Sequence, residues 1–251
     1  MSKTYFVSGA NRGIGFSFVK ELSSDSTNTV IATARNVETA AELKSWADAH
    51  SNVKLVQLDV ASAESVQAAA KTTQEITPKG IDVLISNAGI AKSSDPVLGL
   101  SDDLYLEHFV VNTLGPIRLI RAFKSLLDKK ATKEVLAITS IVGSVGTVMP
   151  LSTSGYGLSK AGLNYAFRQL QQELSPEGYS FALVHPGLVG SDMGNEFVEG
   201  LDPDVREQFL NTLPLITPDQ SASAINKNVL QELKSKNFGK FLSYDGSELV
   251  W

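Results

Sequence analysis

Two kinds of hydrophobic pattern alternate along the chain. Seven short apolar runs read KTYFVSG (3–9), TVIATAR (29–35), VKLVQLD (53–59), IDVLISN (81–87), EVLAITS (134–140), SFALVHP (180–186) and GKFLSY (239–244). Near-continuous runs of this kind suit strands covered on both faces, as in a parallel sheet. Between them, segments 14–24, 37–49, 62–76, 102–128, 155–174 and 218–235 repeat apolar residues at helical spacing. The βαβα alternation predicts an α/β fold, a doubly wound sheet of about seven mainly parallel strands with helices on both faces. No low-complexity linker, charge block or internal repeat divides the chain, so a single domain over 1–251 is expected. One stretch, 187–217, breaks the alternation and reads as an insertion of the kind that serves as a lid or binding loop.

Composition narrows the picture by exclusion. Of 251 residues, 43% are hydrophobic and 20% charged, which suits a folded globular protein rather than a disordered one. The formal net charge of −5 gives no sign of a nucleic-acid surface. With no cysteine, disulfides, thiolate metal sites and a cysteine nucleophile are ruled out. The opening MSKTYFVSGA passes directly into an apolar run, so no signal peptide is expected, and the closing SELVW is neither a prenylation box nor a retention tag. Residues 135–151 carry no charge, but the run falls short of the roughly 18 residues of a membrane span and is broken by glycine and proline. A cytoplasmic protein with no membrane partner is the expectation.

Candidate chemistry collects at the ends of the apolar runs. The first ends in SGANRGIG, placing Gly9, Gly13 and Gly15 directly before a helix. Such glycines permit a tight turn and let a helix N-terminus approach a pyrophosphate. An NAD site wants an acid about 20 residues further on to accept the ribose 2′-hydroxyl, whereas an arginine there suits a 2′-phosphate. Here the second run ends in Ala34 and Arg35 with no carboxylate, and Arg12 lies within the glycine turn, so the pair points to NADP(H). Asp59 ends the third run, either to accept from an adenine amino group or to cap the helix beginning near Ser62. Asn87 and Gly89, in NAG, close the fourth, either beside a ligand or in a simple tight turn. All these ends belong at the carboxyl edge of the sheet, where open α/β folds bind ligands.

Later in the chain, SGYGLSK (154–160) sets Tyr156 four positions before Lys160, on one face of a helix. An ammonium there favours the phenolate and lowers the tyrosine pKa, although the same spacing suits a helix whose lysine faces solvent.

Together, GANRGIG, LDV, NAG, VVNTLGP, TSIVGS, YGLSK and HPGLVGSDM, in this order, resemble the short-chain dehydrogenase/reductase family over essentially the whole chain. The ending FLSYDGSELVW and the long TSIVGSVG loop look most like the sniffer and C-factor branch of carbonyl reductases. The resemblance implies a Rossmann-type fold and an NADP(H)-dependent reduction of a ketone or aldehyde. In that role Tyr156 would be the general acid, Lys160 would lower its pKa and contact the nicotinamide ribose, and Ser140 would hydrogen-bond the substrate oxygen. Asn112 would support a water relay to the lysine through its backbone. A satisfied helix amide and a loop hydroxyl are the plainer readings of Asn112 and Ser140. The implied cofactor set is Gly9, Asn11, Arg12, Gly13, Ile14, Gly15, Arg35, Asp59, Val60, Asn87, Ala88, Gly89, Tyr156, Lys160, Pro186, Gly187, Val189 and Ser191. Family members commonly form homodimers or homotetramers through helices corresponding to 102–128 and 155–174, and the same is expected here.

Two departures stand out. The family's serine usually lies nearer the tyrosine, at the place of Gly143, so Ser144 rivals Ser140. The phosphate-binding threonine of the family is Ser191 here, which keeps the hydroxyl. His50, His108 and His185 lack metal-ligand spacing and no metal is expected, with a packing role read for His185. Met149, Leu151, Met193, Phe197, Phe209 and Leu213 either line a pocket for an apolar or aromatic carbonyl compound or pack the insertion onto the body. An NADP(H)-binding sensor or scaffold without turnover is the alternative function.

Overall fold

The computed structural model describes residues 2–147, 152–201 and 203–251. In chain order, β1 (Thr4–Val7), β2 (Thr29–Ala34), β3 (Val53–Gln57), β4 (Val83–Ser86), β5 (Glu134–Ile138) and β6 (Ser180–His185) enter one sheet. Next, β7 (Leu188–Val189) and β8 (Leu215–Ile216) form a separate two-stranded ladder, and β9 (Lys240–Ser243) returns to the main sheet beside β6. The order is β3-β2-β1-β4-β5-β6-β9 and every neighbouring pair is parallel, the Rossmann-type architecture expected from the sequence.

Strand alternation sends side chains to two cores. Tyr5 and Val7 pack on one face of the sheet with Phe18 and Leu43, from α1 (Gly13–Ser23) and α2 (Ala41–Ala49). Phe6 enters the other with Ala69 of α3 (Ala63–Ile76), Phe123 of α5 (Gly115–Leu127) and Phe167 of α6 (Ser154–Leu174). Phe6 and Phe123, both without solvent exposure, pack with ring centroids 4.2 Å apart.

Some predicted helices change form. Segment 102–128 stays helical, but a π-helical turn, Val110–Leu114, joins α4 (Asp102–Phe109) to α5. Pro116 has no N–H, so the Asn112 carbonyl lacks the donor that an α-helix would supply from four residues on. Segment 37–49 is helical only from Ala41, because the Asn36 side chain accepts from the Glu38 and Thr39 amides and turns the chain there. Segment 218–235 divides into α9 (Pro218–Ile225) and a π-helical turn, Asn226–Leu230, with a second such turn at Leu233–Asn237. Segment 187–217 is not an open loop. It folds as β7, α7 (Asp192–Glu199), α8 (Pro203–Thr212) and β8, closed by the pairs Leu188↔Leu215 and Val189↔Ile216. Among the described residues no helix is long and apolar enough to cross a membrane.

At the carboxyl edge, Asn87 secures the turn after β1. Its Nδ2 donates to the carbonyls of Ser8 and Gly9, at 3.0 and 2.9 Å. The backbone amides of Asn87 and Ala88 donate in turn to the Ser8 hydroxyl. Replacing Asn87 by alanine removes the donor from both carbonyls, at about 1–3 kcal/mol for each buried group left unpaired. Urea denaturation is expected to show a lower midpoint for Asn87→Ala with an unchanged slope. An unaltered midpoint would mean that the turn holds itself.

Candidate active site

The turn between β1 and α1 exists because of its glycines. Gly9 has φ +67°, and a Cβ there would lie 2.8 Å from the Ala88 Cα. A Cβ on Gly15 would collide with the Gly9 carbonyl oxygen. Only glycine permits this approach of helix to strand. The N-terminus of α1 has no side-chain cap at Arg12 and no acid in its first turn, so its amides and the positive end of the helix dipole remain available to an anion. Asn11 is exposed at the tip of the turn.

The two arginines differ in their surroundings. Arg12 reaches across to Asp192, at the start of α7, with 2.7 Å between Nη1 and Oδ2. Arg35 is exposed at the end of β2 and forms no ion pair among the described residues. Asp59 does not cap α3. Ser62 does so, accepting from the Ser65 amide, while Asp59 uses Oδ1 on the Ala61 amide. The Val60 and Ala61 carbonyls accept from Arg118.

On the other side of the crevice, Ser140 leaves β5 in extended conformation and opens a short 3₁₀ turn, Ile141–Gly143. Its hydroxyl accepts from the Val142 amide at 3.4 Å, which leaves its own proton to be donated, with the Tyr156 phenol oxygen as one acceptor. Ser144 is turned away, accepting from the Thr147 amide at 3.0 Å. A Cβ on Gly143 would lie 2.7 Å from the Lys160 Cβ, so the place where the family usually has its serine is pressed against α6. Asn164 fixes this loop from below: Thr139 donates to its Oδ1 at 2.7 Å, and its Nδ2 donates to the Gly143 carbonyl at 3.2 Å.

Tyr156 and Lys160 share a face of α6, but the expected depression of the phenol pKa is not what the protein produces. Burial pushes Tyr156 up to about 12, and a hydrogen bond with Ser140 pulls weakly the other way. Lys160 is 4% exposed and lies 5.6 Å from the centre of the phenol ring. It donates to the Ile138 carbonyl at 2.9 Å, and burial brings it down to about 8. The physical reason is desolvation, which disfavours both charged forms. Asn112, fully buried in the π-helical turn, clamps the chain after β4. Its Oδ1 accepts from the Ile90 amide, while its Nδ2 donates to the Ile90 carbonyl and to Ser159. The side chain is therefore a satisfied helix amide. Gly89 lies between its Oδ1 and the Lys160 ammonium.

Ser140 and Tyr156 face a cavity of about 330 Å³, shared with Ile14, Pro186, Gly187, Val189 and Ser191. Met193, Phe197 and Leu213 form its apolar wall on the insertion side. Met149 and Leu151 lie outside the described residues, as does the side chain of Phe209. The cavity has a further wall that sequence patterning missed: Ala91, Lys92, Ser93 and Ser94, in an irregular segment with no periodicity to reveal it. Its one local oddity is Ser93, at φ +67°. His185 also lines the cavity, its Nδ1 buried without a partner and its pKa pushed down to about 4 by burial. Among the described residues no group of acids and histidines could hold a metal ion.

Comparison with known proteins identifies the family and the fold. The profile of the short chain dehydrogenase family matches residues 3–202. A relative from Schizosaccharomyces pombe, named as an uncharacterized oxidoreductase, is 41% identical over 253 residues, covering 100% of this chain and 98% of its own. Among solved structures, the carbonyl reductase Sniffer of D. melanogaster matches with a TM-score of 0.86 at 27% identity, covering 100% of both chains. An NADPH-bound carbonyl reductase from chicken fatty liver matches with a TM-score of 0.85 at 29% identity, covering 100% of this chain and 99% of that one.

Proposed function

The chain belongs to the short-chain dehydrogenase family, and from that premise we propose that it is an NADP(H)-dependent oxidoreductase reducing a ketone or aldehyde to an alcohol. The carrying observation is that the Ser140 hydroxyl and the Tyr156 phenol face one cavity, beside the uncapped N-terminus of α1. The residues available to the cofactor suit it well. They comprise a turn closed by Gly9, Gly13 and Gly15, an open helix dipole, and Arg12 and Arg35 where a 2′-phosphate needs cations. Asp59, whose second carboxylate oxygen is not used on Ala61, suits the adenine end, and Pro186 to Ser191 suit the nicotinamide end. Bound NADPH supplies the hydride.

The chain's own residues manage the proton. Ser140 donates to the carbonyl oxygen and holds it beside Tyr156. As the carbonyl carbon gains the hydride, its oxygen takes the phenol proton, and the resulting phenolate is reprotonated from solvent. A phenol held up to about 12 is fully protonated at neutral pH, the form that reduction requires. The Lys160 ammonium, 5.6 Å from the centre of the ring, offsets part of the cost of forming a buried phenolate, although burial keeps the net shift upward. Asn112 contributes by holding Ile90 and by presenting a carbonyl that Pro116 leaves without an α-helical donor. Residues 187–217 serve as the substrate loop, and Met193, Phe197 and Leu213 favour an apolar or aromatic carbonyl compound. Exposed Leu106, Phe109, Leu158 and Tyr165 on α4 and α6 supply an apolar face for a homodimer or homotetramer.

Purified protein given NADPH and a panel of ketones is expected to consume the cofactor only when ketone is present. Binding without consumption would favour a sensor instead. Tyr156→Phe should retain cofactor binding and fold while turnover falls below roughly a hundredth of wild type. In pH profiles, reduction should persist across the neutral range, where Tyr156 is protonated, while alcohol oxidation climbs with pH because it needs the phenolate. Reduction that itself required a rising pH would contradict a phenol donor.

Cofactor choice is tested at Arg35. Arg35→Ala is expected to weaken NADPH far more than NADH, by about 1.5–3 kcal/mol in dissociation constants, as befits a lost charge-assisted contact. Equal weakening of both cofactors would make the residue structural.

The two serines should separate cleanly. Ser140→Ala is expected to lower kcat by roughly a hundredfold, as loss of an oxyanion-type donor does, and Ser144→Ala to leave it near wild type. A crippled Ser144→Ala would reverse the assignment.

A further inference from the structure

His108 is buried without any solvent exposure on α4, one turn before Asn112. Both of its ring nitrogens are engaged, and their partners dictate its protonation. Nδ1 lies 2.7 Å from the Leu104 carbonyl oxygen, which can only accept, so Nδ1 carries the proton. Nε2 receives the Lys92 amide at 2.9 Å, and an N–H can only donate, so Nε2 is bare. One face of the α4 helix and its π-helical extension therefore grips the segment after β4 twice: Asn112 holds both backbone groups of Ile90, and His108 holds the amide of Lys92.

That second grip falls where the chain becomes the cavity wall. Lys92 is followed by Ser93, whose φ of +67° is uncommon for a residue with a side chain and persists only where surroundings enforce it. The opposite side of the His108 ring packs on α6. A Cβ on Gly155 would lie 3.0 Å from Nδ1, and Gly155 immediately precedes Tyr156. A single ring thus spans from the wall of the cavity to the first turn of the helix that carries the phenol. Ser154 adds a tie in parallel, donating to the Asp95 carbonyl at 2.7 Å.

We infer that His108 is a positioning residue for substrate binding: as the Nδ1–H tautomer it holds the Lys92–Ser94 wall at a set distance from Tyr156. This rests on the reading of the cavity as a carbonyl-substrate site. His108 hydrogen-bonds to none of the cofactor's residues named above, so its effect belongs to the substrate's KM and not to cofactor affinity.

Two variants of similar size divide its contacts. Glutamine can place an oxygen near the position of Nε2 and keep the acceptor for Lys92, whereas asparagine reaches only as far as Nδ1 and loses it. His108→Asn is expected to raise the ketone KM about tenfold with kcat changed less than about threefold, and His108→Gln to stay within about twofold of wild type in both. Dissociation constants for NADPH should match wild type in each. Without any substrate, amide exchange in a peptide covering 90–96 should quicken in His108→Asn and not in His108→Gln. Equal losses in the two variants, or slowed kcat with unchanged KM, would reduce His108 to ordinary packing. Should neither variant fold, ring ¹⁵N shifts of the wild type decide: a proton on Nε2 overturns the clamp, and a proton on Nδ1 alone supports it. A wild type inert toward every ketone would sink the reductase reading and the KM effect with it, while exchange and ¹⁵N shifts still decide whether the clamp exists.

Discussion

A buried ammonium group governs the architecture of this protein's carboxyl edge. Lys160 is 4% exposed, and its partners are the Ile138 carbonyl and the face of the Tyr156 ring. Burying a charge is costly unless it is hydrogen-bonded, so every element around it must come close enough to satisfy or shield it. Gly89 and Gly143 admit that closeness, since a Cβ at Gly143 would strike α6 and one at Gly89 would fill the space between Asn112 and the ammonium. The π-helical turn sets Asn112 within reach of both Ile90 and Ser159. Asn164 ties down both ends of the loop that carries Ser140. This part of the crevice thus closes around one cation.

From that fixed point the crevice divides into two halves with different physics. The half proposed for the cofactor is built from backbone: a glycine turn, an uncapped helix N-terminus, and an asparagine turned inward to pin the carbonyls of Ser8 and Gly9. The half proposed for the substrate is built from side chains on several elements. Its floor, Ser140 and Tyr156, rises from β5 and α6, while its walls come from the folded insertion and from the segment after β4. Function carried on connecting segments above a rigid sheet is the usual division of labour in open α/β folds. The carbonyl reductases that this chain resembles in fold share the scaffold, so under the proposed function differences in substrate would belong to these walls.

The Arg12–Asp192 pair links the two halves. It joins the glycine turn to the first residue of α7, with both side chains largely exposed. An exposed pair of this kind contributes little to stability. Its interest lies in its place, because it engages a cation that the proposed function offers to a 2′-phosphate.

Local physics determined much of this protein in advance. Strands buried on both faces need unbroken apolar runs, and all seven runs became strands of the sheet, each trimmed at one or both ends. The glycine turn, the arginine closing β2, the serine closing β5 and the four-residue spacing of Tyr156 and Lys160 are likewise written within a few residues, because turns and helices are short-range objects. Tertiary structure decided the rest, through partners far apart in sequence. It gave Arg12 a carboxylate 180 residues away. It tied the Asn87 side chain to the glycine turn, and pointed Lys160 at a strand carbonyl while burial raised the phenol that the lysine was expected to lower. It also chose Ser140 over Ser144 as the hydroxyl facing the cavity, and made a wall of residues 91–94. Periodicity records which face of an element is buried. It carries no record of which distant group meets a side chain there, and desolvation, which sets the charge states of the site, arises only once those groups have closed around it.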